Sequence, residues 1–121
     1  MPRKSTAPPP ESLLPLPAAT FEILLALAGD EMHGYAIMKD VADRSGGSTK
    51  IGAGTLYGTL KRLLAAGIVG ETERHDADAG DERRRYYRLT DYGVAVAKAE
   101  ARRLGDVVRD AQRKRLVGRL A

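Results

Sequence analysis

The residues able to do chemistry in this chain are mostly hydroxyls and cations, and they gather on one stretch. It reads Gly54-Thr55-Leu56-Tyr57-Gly58-Thr59-Leu60-Lys61-Arg62-Leu63-Leu64-Ala65-Ala66-Gly67-Ile68-Val69. At helical pitch Leu56, Leu60, Leu63 and Leu64 share one side. Gly54, Gly58, Lys61, Arg62 and Ala65 share the other, with Thr55, Tyr57 and Thr59 on the flanks. The outer side is slim in its N-terminal half and cationic one turn later. A helix that enters a DNA major groove needs that profile, with little bulk at its leading end and with hydroxyls and positive charge for phosphates and base edges. Thr55 and Tyr57 are the candidates for base edges. Gly67 is expected to stop the helix as its C′ residue.

Other chemistries find no footing. The chain has no cysteine, which removes disulfides, thiolate catalysis and cysteine-based metal sites together. The two histidines, His33 and His75, have no ligand spacing between them, so no metal site is expected. His33 suits a hydrogen bond at the start of a helix. Gly52-Ala53-Gly54-Thr55 is not a dinucleotide loop, because Tyr57 stands where the last glycine belongs, and no Walker spacing occurs. Asp76-x-Asp78-x-Gly80 departs from a calcium loop at its third acidic position and at the closing glutamate, where Tyr87 stands. Ser45 and Ser48 have no base placed beside them. No catalytic residue and no cofactor is therefore expected.

The elements that must carry the 54–65 helix can be read in order. The chain has 121 residues with 43% hydrophobic and 30% charged content, enough for one soluble domain with a modest core. No apolar run approaches a membrane span or a signal peptide, so a cytoplasmic protein without a membrane partner is expected. All six prolines lie in residues 1–17, which read as a flexible, partly polyproline arm. Leu13, Leu14 and Leu16 in that arm are available to dock on the domain or on a partner chain. A first helix is expected over residues 18–28, with Phe21, Leu24, Leu25 and Ala28 on one face and Leu27 broadening it. So apolar a helix belongs between the core and a second surface. A second helix covers residues 34–44, with Ile37, Met38 and Val41 inward and Gly46-Gly47 as its stop. Beside His33, Tyr35 either contacts a phosphate or packs, and packing is the preferred reading.

Beyond Gly67, residues 68–74 and 83–89 read as two strands, with Tyr87 and Leu89 alternating against Tyr86 and Arg88. The tip between them is acidic. Arg83, Arg84, Arg85 and Arg88 follow it with no acid among residues 83–88. The net charge of +4 is thus gathered into patches, which suits a polyanion. A recognition-like helix followed by two strands and a tip describes a winged helix. Thr90 and Asp91 cap a last helix expected to reach residue 117, about 40 Å long. Ala97, Ala101, Leu104, Val108 and Ala111 step by four, three, four and three along it, which is a heptad seam. A second copy of the same helix is the simplest partner for that seam; packing back on the first helix is the other reading, and the two are compatible. The expected class is mainly α with a small β-hairpin wing. Its units are the arm at residues 1–17, a winged-helix domain at 18–89 and a dimerisation helix at 90–121.

His33-Gly34-Tyr35-Ala36-Ile37, Gly54-Thr55-Leu56-Tyr57, Leu60-Lys61-Arg62-Leu63, Ala66-Gly67-Ile68-Val69 and Arg85-Tyr86-Tyr87-Arg88-Leu89-Thr90 followed by Gly93 occur in this order. Together, over residues 18–117, they resemble the PadR family of bacterial transcriptional regulators. The resemblance implies a winged helix-turn-helix repressor acting as a homodimer on a double-stranded DNA operator, in the compact branch with one C-terminal helix. Thr55, Tyr57, Gly58 and Lys61 would go to DNA from the recognition helix, and Arg83, Arg84 and Arg85 from the wing. A small hydrophobic or aromatic effector at the dimer interface would release the DNA by changing the angle between the long helices. Gly58 stands where many relatives have proline or a larger residue. The rival reading is a winged-helix protein-interaction module without specific DNA contact, and the arginines and the slim helix face speak against it.

Overall fold

A computed structural model describes residues 7–75 and 83–120. Four helices and three short strands share one core: α1 (Ala18–Leu27), β1 (Met32–His33), α2 (Gly34–Arg44), α3 (Ala53–Ala65), β2 (Val69–His75), β3 (Arg83–Leu89) and α4 (Asp91–Arg113). This is the winged-helix arrangement expected, with one strand more. β1 was not expected, being two residues long and lacking any alternation to detect. It pairs antiparallel with β3 through Met32 and Tyr87 and through His33 and Tyr86, giving the order β1-β3-β2. β2 and β3 form the hairpin, in register from Val69 opposite Leu89 to His75 opposite Arg83. The acidic tip at residues 76–82 lies outside the described residues.

Leu24, Leu27, Ile37, Val41, Leu56, Leu60 and Val96 meet in the core with almost no exposure. α1 turns differently from the face expected of it. Ile23, Leu24, Ala26 and Leu27 are buried, while Leu25 is 39% exposed and Ala28 lies outside. The helix is apolar all round, so its periodicity carries little directional signal, and the tertiary contacts choose the face. The second apolar side, with Phe21 and Leu25, borders a groove against α4. α2 follows its expected span. Nδ1 of His33 accepts the N–H of Ala36 at 3.2 Å and caps it. Gly46 and Gly47, both at positive φ, end it.

α3 ends as Gly67 dictates. Gly67 has φ +75°, its N–H donates to Leu64 and the N–H of Ile68 reaches back to Leu63, a Schellman closure. The inward arc of α3 is Leu56, Thr59, Leu60 and Leu63. Thr59, expected on the flank, is buried, with its hydroxyl accepting from Arg62 at 3.2 Å. A hydroxyl so paired can sit at the core margin.

Thr90 joins α3 to α4. Its hydroxyl donates to the carbonyl of Gly67 at 2.6 Å and accepts the N–H of Gly93 at 3.0 Å. Gly93 packs on the Ile68 carbonyl so closely that a Cβ would lie 2.0 Å from the oxygen. Only glycine fits there. α4 runs 23 residues, about 34 Å. It stops at Arg113, short of residue 117, because Arg115 adopts φ +61° and the N–H of Leu116 turns back to Ala111. Its first half belongs to the core through Gly93, Val96 and Ala99. Among the described residues no helix is long and apolar enough to cross a membrane, and no cluster of three metal-ligating side chains occurs.

The flexible arm expected over residues 1–17 is, over residues 7–17, a strap laid across α4. A 3₁₀ turn (Pro10–Leu13) sits against that helix, and Leu13 and Leu16 pack on the core. Glu100 of α4 holds the strap. It is 1% exposed, accepts the N–H of Leu16 at 2.9 Å and pairs with Arg103 at 2.5 Å. The phenol of Tyr92 donates to the Pro8 carbonyl at 2.6 Å. Prolines lower the entropy lost when such a segment is fixed, and the half-buried Leu13 and Leu16 help to hold it.

The hydrogen bond from Arg103, followed by that from the Leu16 N–H, holds the Glu100 carboxyl below its usual range against the opposing effect of burial. A lowered folded-state pKa contributes stability that is complete above the unfolded value near 4.5 and lost as pH falls through the folded one. The melting-temperature difference between wild type and Glu100→Gln should therefore be constant from neutral pH down to about 5 and shrink below it. Thermal melts at stepped pH measure this; a difference that grows on acidification would contradict it.

Candidate nucleic-acid interface

α3 presents its outer face to solvent. Gly52, Ala53, Gly54 and Thr55 are exposed, no side chain caps the helix, and nothing lies within 4 Å of where a Cβ on Gly52 or Gly54 would sit. The leading end is therefore slim, and its first-turn N–H groups are unobstructed by capping side chains. Lys61 is exposed one turn further on and makes no side-chain hydrogen bond or ion pair among the described residues. Arg62 differs from its neighbour. Its guanidinium folds back to Thr59, close to the place a Gly58 Cβ would take, and leaves Gly58 half-buried.

Beside this face lies a cleft of about 380 Å³ between the start of α2, α3 and the wing. His33, Gly34, Tyr35, Tyr57, Arg84, Arg85 and Tyr87 line it. Tyr57 reaches it from α3 by lying over Gly34, where a Cβ would come within 2.2 Å of the phenol oxygen. The glycine of the His-Gly-Tyr run is thus what lets α2 and Tyr57 approach. Tyr35 is 66% exposed, which overturns the expectation that it packs; its ring instead stacks near His33 at 6.5 Å. Tyr57 is 48% exposed. Tyr87 closes the cleft from the core side, and burial, then the Glu71 carboxylate, push its phenol up, so it stays a neutral group.

Of Arg83, Arg84 and Arg85, the two whose side chains are described sit differently. Arg84 places Nη1 2.9 Å from Nε2 of His33. Arg85 is exposed and only loosely paired, 3.8 Å from Glu71. Arg83 begins β3, and its side chain lies outside the described residues. Arg74, on the neighbouring strand, covers the ring of Tyr86 at 3.7 Å and pairs with Glu31 at 2.9 Å. That cover, with the edge of His33 at 5.5 Å, explains how consecutive tyrosines can both be buried: Tyr87 enters the core and Tyr86 is roofed on the opposite face.

The fold thus brings Tyr35, Tyr57, Arg84 and Arg85 around one cleft, with Gly54, Thr55 and Lys61 on the open side of α3. Two participants, His33 as a bridge to the wing and Gly34 as a seat for Tyr57, were not read as parts of the site. The His-Gly-Tyr run was visible, but nothing local indicated that β1 would hydrogen-bond to β3 and carry His33 to Arg84. Of the seam residues, Ala97 and Ala101 line an apolar groove of about 250 Å³ against Phe21, Leu24, Leu25 and Ala28 of the α1 segment. Leu104, Val108 and Ala111 continue along α4 half-buried, and Val107 is 51% exposed.

The fold recurs in known structures. A PadR family transcription regulator from Clostridium difficile superposes with a TM-score of 0.67 at 24% identity, over 81% of this chain and 97% of that one. A PadR family transcriptional regulator from Eggerthella lenta gives 0.59 at 30% identity, over 80% and 82%. Bacillus subtilis PadR, solved in complex with operator DNA, gives 0.60 at 22% identity, over 68% of this chain and 46% of that one. Among curated proteins no sequence matches significantly. The model of the transcriptional regulator PadR-like family matches residues 23–99, from within α1 to the middle of α4. This chain belongs to the PadR-like family of transcriptional regulators.

Proposed function

We propose that the chain is a homodimeric repressor that inserts α3 into the major groove of a double-stranded operator. The observation that carries this reading is the open face of α3, with bare glycines ahead of Lys61, which has no partner among the described residues, and with a tyrosine- and arginine-lined cleft beside it. Thr55 and Tyr57 reach base edges, while Tyr35, Lys61, Arg62 and the wing residues Arg83, Arg84 and Arg85 hold phosphates. Gly54 and Gly58 keep the helix backbone close to the duplex. Bacillus subtilis PadR was solved with operator DNA, which supports the same partner here.

The dimer forms along α4. The apolar groove lined by Phe21, Leu25, Ala97 and Ala101 continues into the half-buried Leu104, Val108 and Ala111, a stripe longer than the domain itself covers. Two copies of that stripe set the recognition helices about 34 Å apart, one turn of duplex. The groove is also where a small hydrophobic or aromatic effector would bind and change the angle between the long helices.

Four measurements test the proposal. The DNA upstream of the chain's own coding sequence should be shifted in a gel at low salt and much less at high salt, through counterion release. Lys61→Ala should lower affinity for all duplexes alike and flatten the log–log salt slope by about 0.9. A loss confined to one sequence would contradict the phosphate role. Ala101→Glu should give a monomer by sedimentation and lower operator affinity at least about tenfold, since a buried unpaired carboxylate opposes association; a stable dimer would sink the seam. Aromatic effectors titrated into the operator complex should release it, and no release by any of them would leave a repressor controlled by abundance alone.

A further inference from the structure

Among the described residues, every large aliphatic side chain that is exposed lies in one of two places. Leu25 and Val94 border the apolar groove between α1 and α4. Val107, Leu116, Val117 and Leu120 lie on the far half of α4 and on the stretch that follows it. Exposed leucines scattered singly need no explanation, but aliphatic side chains gathered at two sites do. The two places do not meet within one chain. The helix between Ala101 and Arg113 is about 18 Å long. The stretch after it folds back only onto the last turn, where the N–H of Leu116 donates to Ala111 and Nε2 of Gln112 donates to the Gly118 carbonyl at 3.2 Å. None of residues 114–120 lines the groove.

Two apolar patches kept apart on one chain are what a two-fold dimer joins, because residue i of each copy then contacts residue j of the other. Leu104, Val108 and Ala111, all half-buried, connect the patches along one side of α4. An antiparallel pairing centred near Leu104 lays Ala111 opposite Ala97 of the second copy and brings residue 114 level with that copy's Val94. Residues 114–120 then leave the helix at the mouth of the second copy's groove. The antiparallel sense also covers more surface. The buried residues of α4, Gly93, Val96, Ala99 and Glu100, all lie in its first half. Antiparallel copies lay each domain over the other's bare second half, whereas parallel copies leave the two bare halves to cover only each other. We propose that Leu116, Val117 and Leu120 of each copy plug the groove between α1 and α4 of the other. This rests on the dimer reading above and names what fills the groove when no effector is bound. At about 250 Å³ the groove lies below the roughly 300–1,000 Å³ of sites built for small molecules, which suits a plug of side chains. An apolar effector then acts by displacing the plug, so effector and tail exclude each other.

The chain has no cysteine, so thiol cross-linking reads the pairing directly. Full-length Leu25→Cys and Leu116→Cys variants, one of them carrying a size tag, are mixed, allowed to exchange subunits and treated with a short bismaleimide. The mixed product should dominate, and each variant alone should give little. Lys39→Cys, at an exposed position on α2, serves as the blank. A strong product from Leu116→Cys alone or from Leu25→Cys alone would mean that like ends meet, and would overturn the plug. So would the lack of a mixed product in a protein that sediments as a dimer. A second variant, Leu116→Ser with Leu120→Ser, changes only exposed side chains. It should keep the wild-type helix content and raise the dimer dissociation constant at least about tenfold, since each lost leucine counts twice in a symmetric dimer. It should also bind N-phenyl-1-naphthylamine, an uncharged apolar dye, more tightly than wild type does, because the groove is then open. Wild-type dimer affinity in this variant would overturn the proposal. A wild type that sediments as a monomer would instead strike at the dimer reading and take the plug with it, so the two failures are distinguishable.

Discussion

The fold is tied together where the end of α3 meets the start of α4. The Thr90 hydroxyl spans that junction, donating to the carbonyl of Gly67 and accepting from Gly93, while the Thr90 N–H donates to Ile68. These groups are the ones a helix leaves unsatisfied at its ends, and here each helix end helps satisfy the other. Gly93 is required because the Ile68 carbonyl occupies the space a side chain would need. Gly67 is required because the backbone turns at positive φ to make that carbonyl available. β2 and β3 leave and rejoin the same junction, since Val69 pairs with Leu89 immediately beside it. The hairpin, the recognition-like helix and the long helix therefore share one origin.

Much of this was legible because local rules and tertiary packing agree. Gly67 as a helix stop, Thr90 as a cap, His33 as a hydrogen-bonding group at the start of α2, and the leucines of α3 all obey rules that read a few residues at a time. What was missed depends on residues far apart in sequence. β1 exists only because β3, some fifty positions later, offers an edge to pair with. The inward face of α1 could not be chosen, since apolar side chains surround it. The strap was read as an arm because proline content speaks against helix and strand, yet says nothing about docking. The buried carboxylate that holds it, Glu100, looks from sequence like one more charge on an amphipathic helix. Tyr35 was assigned to packing on its type, and only the direction of its side chain from the first turn of α2 places it outside.

The distribution of ion pairs follows the same division between scaffold and face. Arg44 bridges Glu22 of α1 and Asp40 of α2, Arg103 neutralises Glu100 under the strap, and Arg74 ties Glu31 to the sheet. Further along α4, Arg109 and Arg113 pair with Asp106 and Asp110 one turn before them. Exposed pairs of this kind contribute little to stability, and their effect is to remove charge from the surfaces they occupy. Among the described residues Lys61 has no ion-pair partner, and Arg85 is held only loosely. A net charge of +4 is a weak long-range attractor. Glu31 and Glu71, the acids nearest this face, lie against Arg74 and Arg85.

The junction at Thr90 has a mechanical consequence for the proposed dimer. α4 is about 34 Å long and starts at the hydroxyl that holds the last turn of α3. A rotation of α4 is delivered to α3 through two hydrogen bonds and a glycine contact rather than through a loop that could absorb it. A turn of about 10° at the junction moves the far end of such a rod by about 6 Å. Read in reverse, a few ångströms of rearrangement between paired α4 helices turns each winged domain by several degrees. That is enough to carry two recognition helices out of register with successive major grooves. The strap lies across the same helix, fixed to it by Glu100 and packed on the core through Leu13 and Leu16. The groove against α1 lies on the line between rod and domain, where a small apolar molecule would act on the angle directly. A stiff junction and a fillable groove are the two parts the proposed switch requires: the groove would set the angle, and the junction would carry it to α3.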